Sequence, residues 1–408
     1  MKCRHCFAEL VLPFLDLGSA PPSNAYLTTQ SLKAPEKWFP LRVLVCEQCW
    51  LVQTEDYAGA SELFDSEYAY FSSFSTTWLQ HAEKYVAAMS ERLGLGPASH
   101  VVEVAANDGY LLQYVKRRGI PCLGVEPTAS TAKAAREKGI PIVEDFFGVK
   151  LARELAAQGK QADLTAANNV LAHVPDLNDF VSGFAVLLKP AGVATFEFPH
   201  LLRLVADSQF DTIYHEHYSY LSLSAVERFF LANGLTVFDV EELPTHGGSL
   251  RVFAQRSDAG ARPVTSRVTE IRAREREAGV FTPAFYARLQ TQADRIKNGF
   301  MAFLIEANRN GKRVGAYGAA AKGNTMLNYA GVRPDLLPFV VDRNPAKQGK
   351  FLPGSRIPIV GESHLKQSKP DYVVILPWNL RGEVVVQLDY IREWGGKFVT
   401  AVPKLDIA

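Results

Sequence analysis

No uninterrupted apolar stretch in this 408-residue sequence is long enough to cross a bilayer, so no membrane role is expected. The first residues, Met1-Lys2-Cys3-Arg4-His5-Cys6, carry no apolar signal region, and the cytoplasm is the expected address. Charge of either sign is not in excess. The 44 basic and 43 acidic residues leave a net charge of +1, and no basic run or stripe stands out. Nucleic acid is therefore excluded as the main partner, because binding a phosphate backbone needs concentrated positive charge. Cysteine is scarce, with five residues, an odd number that does not suit a disulfide framework in a chain this large. Low-complexity segments and short-period repeats are also lacking. A monomer is the expected state.

Four of those cysteines form two pairs, Cys3-x-x-Cys6 and Cys46-x-x-Cys49. A CxxC turn lets two sulfurs converge on one metal, and two such turns complete a tetrahedral zinc shell. Four thiolates leave no position for water or substrate, so the zinc is expected to be structural. Unpaired redox dithiols are the alternative. His5 is not needed as a ligand, and Cys122 reads as a small core residue.

Length and 47% hydrophobic content allow two or three domains. Residues 1–75 read as short strands and loops around the cysteines. A helix begins near Ser75 and ends at Gly94, Gly96 and Pro97. Strands are then predicted at Val101–Val104, Cys122–Val125, Ile140–Val143, Leu164–Ala167 and Val193–Phe198, separated by helical patterns. Thr236–Glu241 and Ser249–Gln255 have little room for a helix between them and read as an antiparallel pair closing the sheet. This alternation predicts an α/β fold, a doubly wound parallel sheet spanning 76–256. A charged stretch from Ser266 to Asn310 reads as one long helix. It leads into strands at Arg313–Tyr317, Pro338–Val341, Tyr372–Leu376 and Lys397–Ala401, a second, Rossmann-like α/β domain over 257–408.

The turn after the first central strand reads Glu103-Val104-Ala105-Ala106-Asn107-Asp108-Gly109. Small residues there let the backbone approach a nucleotide beside a helix N-terminus. Glu126 closes the next strand, where a carboxylate can accept both ribose hydroxyls. Asp145 and Phe146 follow the third strand and suit an adenine edge and face; Asn168 and Asn169 follow the fourth. Taken alone, the turn fits an ordinary strand–helix junction equally well. With the closing acid and the antiparallel pair it favours a class I S-adenosylmethionine-dependent methyltransferase sheet. A nicotinamide dehydrogenase would want more glycines in this turn.

The densest cluster of reactive side chains is Tyr214-His215-Glu216-His217-Tyr218, after the fifth strand, at the ligand-facing edge of such a sheet. Read as extended, it would point His215 and His217 to one side and Glu216 to the other. A buried polar network tying down a loop is the alternative. A second aromatic group, Tyr68-Ala69-Tyr70-Phe71-Ser72-Ser73, falls at the joint between the first two regions, where interdomain packing would explain it as well. The C-terminal region has its own glycine turn, Gly315–Ala319, followed by Lys322, Gly323 and Asn324 opening a helix. Helix N-termini and a lysine suit a diphosphate, and read naively this is an NAD site.

On these motifs the whole chain resembles the nucleotide-sugar C-methyltransferases of deoxysugar biosynthesis. The resemblance rests on the paired CxxC knuckles, EYAYFSSFSTTW at Glu67–Trp78, VVEVAANDGYLL at Val101–Leu112, YHEHYSYLS at Tyr214–Ser222, HGGSLRVF at His246–Phe253 and GAYGAAAKGNT at Gly315–Thr325. It implies methylation of a carbon next to a ketone, C3 beside a C4 ketone, in a sugar nucleotide, with dTDP favoured. Carbon has no lone pair, so a base must first remove a proton made acidic by the ketone. The resemblance makes His217 that base, with Glu216 orienting it and Tyr214 and Tyr68 hydrogen-bonding the substrate or the developing enolate. His173 maps near the same pocket. The implied cofactor contacts are Glu103, Ala105, Asn107, Asp108, Gly109, Glu126, Asp145, Phe146 and Asn168. Tyr70, Ser72, Ser73 and His246 are implied substrate contacts, and Lys322 and Asn324 are implied diphosphate contacts. Many relatives carry glycine in place of Ala105, and alanine is tolerated there if its φ is negative. O- or N-methylation and an NAD-dependent oxidoreductase are the rival readings.

Overall fold

Ser75 accepts the amide of Trp78 in its side chain, which starts the helix Thr76–Leu93, and Gly94 ends it in the left-handed conformation at φ 61°. The buried stripe Ala82, Tyr85, Val86 and Met89 packs with Val101, Phe238 and Phe253 of the central sheet. The computed structural model describes residues 1–57 and 71–408, so Tyr68 and Tyr70 lie outside the described residues.

The central sheet has seven strands in the order Leu235–Leu243, Ser249–Arg256, Leu188–Pro199, Ala162–Asn168, Val101–Val104, Cys122–Val125 and Ile142–Val143. All are parallel except Ser249–Arg256, which is antiparallel to both neighbours. Val101–Val104 is buried along its whole length, as expected of a strand covered by helices on both faces. Because the parallel strands share a direction, the segments beginning at residues 105, 126, 168 and 200 all emerge at one edge. The third strand is shorter than its apolar pattern suggests, and Cys122 is half-buried rather than fully buried.

The N-terminal sheet is antiparallel: Leu12–Ala20, Phe39–Val45 and Val52–Thr54. Its fourth strand comes from elsewhere. Ser219–Tyr220, just after the histidine cluster, pairs with Val52 and Gln53. The C-terminal sheet runs Ile359–Val360, Val340–Val341, Val314–Tyr317, Tyr372–Ile375, Lys397–Thr400 and Asp406–Ile407, parallel but for the last.

The single long helix expected over Ser266–Asn310 is instead three: Ser266–Ala278, Pro283–Tyr286 and Arg288–Arg309. Gly279 at φ 89° stops the first and Pro283 opens the second. Val268 and Ile271 of the first helix pack beneath the central sheet. One further core joins Phe14, Leu41 and Val43 of the N-terminal sheet to Phe210 and Ile213 of the middle region and to Leu304, Met326 and Leu327 of the C-terminal region. All three regions thus meet around the segment that precedes Tyr214.

Candidate active site

The four sulfurs of Cys3, Cys6, Cys46 and Cys49 lie within 4.8 Å of one another. Cys3 Sγ is 3.5 Å from Cys49 Sγ, and Cys6 Sγ is 3.4 Å from Cys46 Sγ. A zinc tetrahedron with ~2.3 Å bonds has sulfur–sulfur edges of about 3.8 Å, so the donors fit that ion. Both knuckles close alike. The Phe7 amide donates to the Cys3 carbonyl at 3.1 Å and the Trp50 amide to the Cys46 carbonyl at 2.7 Å. Phe7 and Trp50 are left-handed, at φ 62° and 61°. His5 turns away to Asn178, with Nδ1 2.9 Å from its Oδ1.

At the central sheet edge, Ala105, Asn107 and Gly109 all have positive φ, at 58°, 49° and 75°. The negative φ under which alanine would be tolerated at position 105 is therefore not met: a Cβ is held in a conformation that costs an L-residue roughly 1–2 kcal/mol. Gly109 cannot carry one, since a Cβ would come within 2.4 Å of Ile140 Cδ1. Glu126 locks the turn. Its Oε2 accepts the Asn107 amide at 2.9 Å, and its Oε1 accepts the Thr128 amide and the Thr131 hydroxyl at 3.0 Å each. A carboxylate has about four acceptor positions, so one remains for a ribose hydroxyl rather than the pair expected. Glu103 is fully buried inside its strand, and burial raises its carboxyl well above the usual range, opposed by the Tyr110 hydroxyl.

Ser72 and Ser73 lie on this same turn. Their amides donate to Asn107 Oδ1 at 2.9 Å and Asp108 Oδ2 at 3.3 Å. Asp108 Oδ2 also takes Lys138 Nζ at 3.2 Å. Asp145 accepts the Phe146 amide at 2.8 Å, and the Phe146 ring is 54% exposed at the rim. Asn168 is buried, yet neither its amide oxygen nor its nitrogen has a partner among the described residues. An orphaned amide at the sheet edge is what a polar ligand would satisfy.

The histidine cluster is a turn, closed by the His217 amide on the Tyr214 carbonyl at 2.9 Å. That corrects the extended reading: His215 and His217 do not share a side. His215 Nε2 lies 3.2 Å from the Pro40 carbonyl, and its ring meets Phe39. His217 packs against Tyr214 at 4.0 Å and His173 at 4.6 Å between ring centroids. Glu216 does not orient His217. Its Oε1 accepts the Asn24 amide at 3.3 Å and Nδ2 at 3.2 Å. The Thr212 carbonyl, 3.0 Å from His217 Nδ1, fixes that ring instead. A carbonyl can only accept, so Nδ1 carries the hydrogen and Nε2 the free lone pair. Burial, then the neighbouring His173, holds His217 well below the ordinary histidine value, so the ring is neutral near pH 7. Burial likewise brings His173 down to about 4.

His246 tops the hairpin between the last two central strands at φ 55°, with its ring 5.3 Å from Trp78. Burial, then the Lys322 charge, lowers it to about 4. Trp78 stacks on His81 at 4.9 Å and Tyr110 at 5.8 Å, joining the hairpin to the cofactor turn. Behind them, buried Glu197 takes His81 Nε2 and Arg251 at 2.8 Å each and the Thr245 hydroxyl at 2.9 Å. From the C-terminal region, the Thr325 hydroxyl donates to the Ile213 carbonyl at 2.9 Å, so the helix Ala321–Ala330 rests on the loop leading into Tyr214. Lys322 Nζ is 2.8 Å from Asn379 Oδ1 and 4.6 Å above the Trp378 ring. The Trp378 indole donates to buried Asp211 at 2.8 Å. Asn324 is buried with both amide atoms unpartnered. The glycine turn itself is filled by protein. A Cβ on Gly318 would meet Pro377 at 2.4 Å, and Asp342 Oδ2 accepts the Ala319 amide at 2.8 Å.

Sequence reasoning missed Asn24, His81, Glu197, Asp211, Arg251, Trp378 and Asn379. Glu197 carried a signal, a lone acid in the apolar run Val193–Phe198, and Arg251 lies within HGGSLRVF; the others sit in segments with no motif.

A family model described as the C-methyltransferase C-terminal domain matches residues 244–403. A zinc binding domain matches 3–64 and a methyltransferase domain 78–240. The chain is 33% identical over 403 residues to C-methyltransferase NovU of Streptomyces niveus, covering 99% of this chain and 96% of that one. It is 28% identical over 97 residues to the ubiquinone biosynthesis O-methyltransferase of Chelativorans sp. (strain BNC1), covering 23% of this chain and 37% of that protein. Among solved structures, magnesium protoporphyrin IX methyltransferase (ChlM) of Synechocystis PCC 6803 with bound SAM matches at 16% identity and TM-score 0.34, over 44% of this chain and 79% of that one. The PH0226 protein of Pyrococcus horikoshii OT3 matches at 15% identity and TM-score 0.38, over 49% and 100%.

Proposed function

Since the chain belongs to the C-methyltransferase family, we propose that it methylates the carbon beside the ketone of a 4-keto deoxysugar nucleotide, at C3, with S-adenosylmethionine as donor. The observation that carries this reading is His217, a neutral imidazole whose Nδ1 is engaged by Thr212 and whose Nε2 is left to accept a proton. An O- or N-methyltransferase uses a lone pair on its substrate and has less need of such a base.

The residues divide the work. Cys3, Cys6, Cys46 and Cys49 hold a zinc ion that takes no part in chemistry, because its shell is closed. The turn of Ala105, Asn107, Asp108 and Gly109, with Glu126, Asn168, Asp145 and Phe146, holds the methyl donor. S-adenosylmethionine bound there supplies an electrophilic methyl group. His217 Nε2 removes the proton next to the ketone; Tyr214 and Tyr68 bind the substrate's polar groups, and Tyr70 contributes a further substrate contact. His173 packs on the base and, by its own burial, helps keep it neutral. The sugar nucleotide is dTDP-linked in this reading, and the enzyme acts as a cytoplasmic monomer.

The test is proton exchange. Candidate 4-keto sugar nucleotides are incubated with the protein in heavy water, and each ring position is followed by NMR. One ring proton should wash out, and His217→Gln should slow that exchange by about 100-fold or more, the contribution of a positioned base. Exchange at no ring carbon, or full methylation by His217→Gln, would remove the enolate chemistry.

A further inference from the structure

We propose that Lys322 and His246 together receive the substrate's ketone oxygen as charge builds on it, so that Lys322 is a catalytic residue and not a diphosphate clamp. The inference rests on the keto-sugar reading above and reassigns one residue within it.

Placement is the first argument. The Thr325 hydroxyl fixes the first turns of Ala321–Ala330 to the Ile213 carbonyl, one residue before Tyr214. Lys322 therefore stands on the wall that carries His217. Its amine is drawn inward over Trp378 and held by Asn379, with Asp211 as a buried counter-charge that accepts the N–H of the same indole. The loop that carries His246 reaches that indole from the other domain. A Cβ on the adjacent Gly247 would lie 2.6 Å from the Trp378 ring, and Gln209 Nε2 holds the Gly247 carbonyl at 2.7 Å. Lys322 and the loop that carries His246 thus meet at one indole from different domains, and His246 Nδ1 has no partner among the described residues.

Electrostatics agrees with the geometry. The Lys322 charge depresses protonation of both His217 and His246, which requires all three to be close. A diphosphate brought to Lys322 would set its full negative charge near the carboxylate of Asp211 already on binding, whereas a ketone binds uncharged. Charge would then appear on oxygen only during the reaction, where a preplaced cation is most effective.

The electron count closes. His217 Nε2 takes the proton; the C–H pair becomes the carbon–carbon double bond, and the carbonyl π pair moves onto oxygen beside Lys322 and His246. When that carbon bonds the methyl group, the π pair returns to re-form the ketone, and the methyl–sulfur pair stays on sulfur. Lys322 remains protonated throughout, and the abstracted proton stays on His217 until solvent removes it.

The experiment compares wild type and Lys322→Met in two measurements: ring-proton exchange at saturating substrate, and calorimetric affinity for the free nucleoside diphosphate of the sugar nucleotide that wild type exchanges. Exchange should fall 100- to 1000-fold, the effect of removing one oxyanion donor, with diphosphate affinity kept within about twofold. Unchanged exchange, or a tenfold loss of diphosphate affinity, overturns the assignment. Should Lys322→Met fail to fold, Lys322→Arg replaces it under the same two criteria, with exchange required to fall at least tenfold. Wild type that exchanges no ring proton refutes the keto-sugar reading itself, a result distinct from a wild type that exchanges and a variant that matches it.

Discussion

Acid should undo the histidine-lined wall at a pH where an ordinary protein surface is indifferent. His173 and His246 are each held at about 4 against 6.5 for a free ring, because burial penalises the charged form. Below pH 6.5 the unfolded chain therefore binds more protons than the folded one. The stabilisation is complete above 6.5 and is lost as pH falls through the window from 6.5 to 4. Taking the protein from pH 7.5 to pH 5 should remove about 2 kcal/mol for each of these two residues. His217, pushed the same way, adds to the loss. Asp211, raised by burial to about 6, works in the opposite sense but is common to every variant compared. The assay is urea unfolding at pH 7.5 and pH 5.0 for wild type, His173→Asn and His246→Asn. Only the difference between the two pH values is read, so cavity effects common to both cancel. Each variant should lose about 2 kcal/mol of pH dependence. His173 touches His217, so that pair need not add. A His173→Asn chain with the same pH dependence as wild type would refute the claim that burial keeps these rings neutral.

Two further outcomes follow from the geometry. The chain should bind one zinc ion, measured by metal analysis, and Cys49→Ser should lose it. Structural zinc sites contribute roughly 10–16 kcal/mol, as much as a whole domain's stability, and the N-terminal sheet shares hydrogen bonds with the catalytic turn. Proton exchange should therefore vanish with the metal, and a metal-free chain exchanging at the wild-type rate would contradict that coupling. Ala105→Gly should raise stability in urea by about 0.5–1 kcal/mol, the relief of a left-handed alanine less the entropy of an added glycine; a loss would show that the turn is not strained.

Local rules reached as far as neighbouring residues do. The cap at Ser75, the stop at Gly94, the strands Val101–Val104 and Cys122–Val125 and the antiparallel closing pair could all be read from spacing, because a helix or buried strand declares itself within a few positions. The break at Gly279 was legible too, with Pro283 four residues on and an uncharged run from Gly279 to Ala287 between charged flanks. The histidine turn was not legible. Tyr214–Tyr218 alternates like a strand, yet it bends because its partners lie far away in sequence.

Four cysteines at CxxC spacing, small residues after a buried strand and an acid at the next strand end were determined by the sequence alone, since each is set by backbone reach over a few residues. Tertiary structure decided which side chains act together. Asn24 holds Glu216, Thr54 takes the Tyr218 carbonyl through its amide and the His217 carbonyl through its hydroxyl, and Thr325 takes the Ile213 carbonyl, all across more than a hundred residues. Those pairings depend on how the three regions of the chain meet in one shared core, and burial between distant segments is also what keeps His217 neutral. No spacing rule encodes either, because both arise only when distant segments exclude water from the same place.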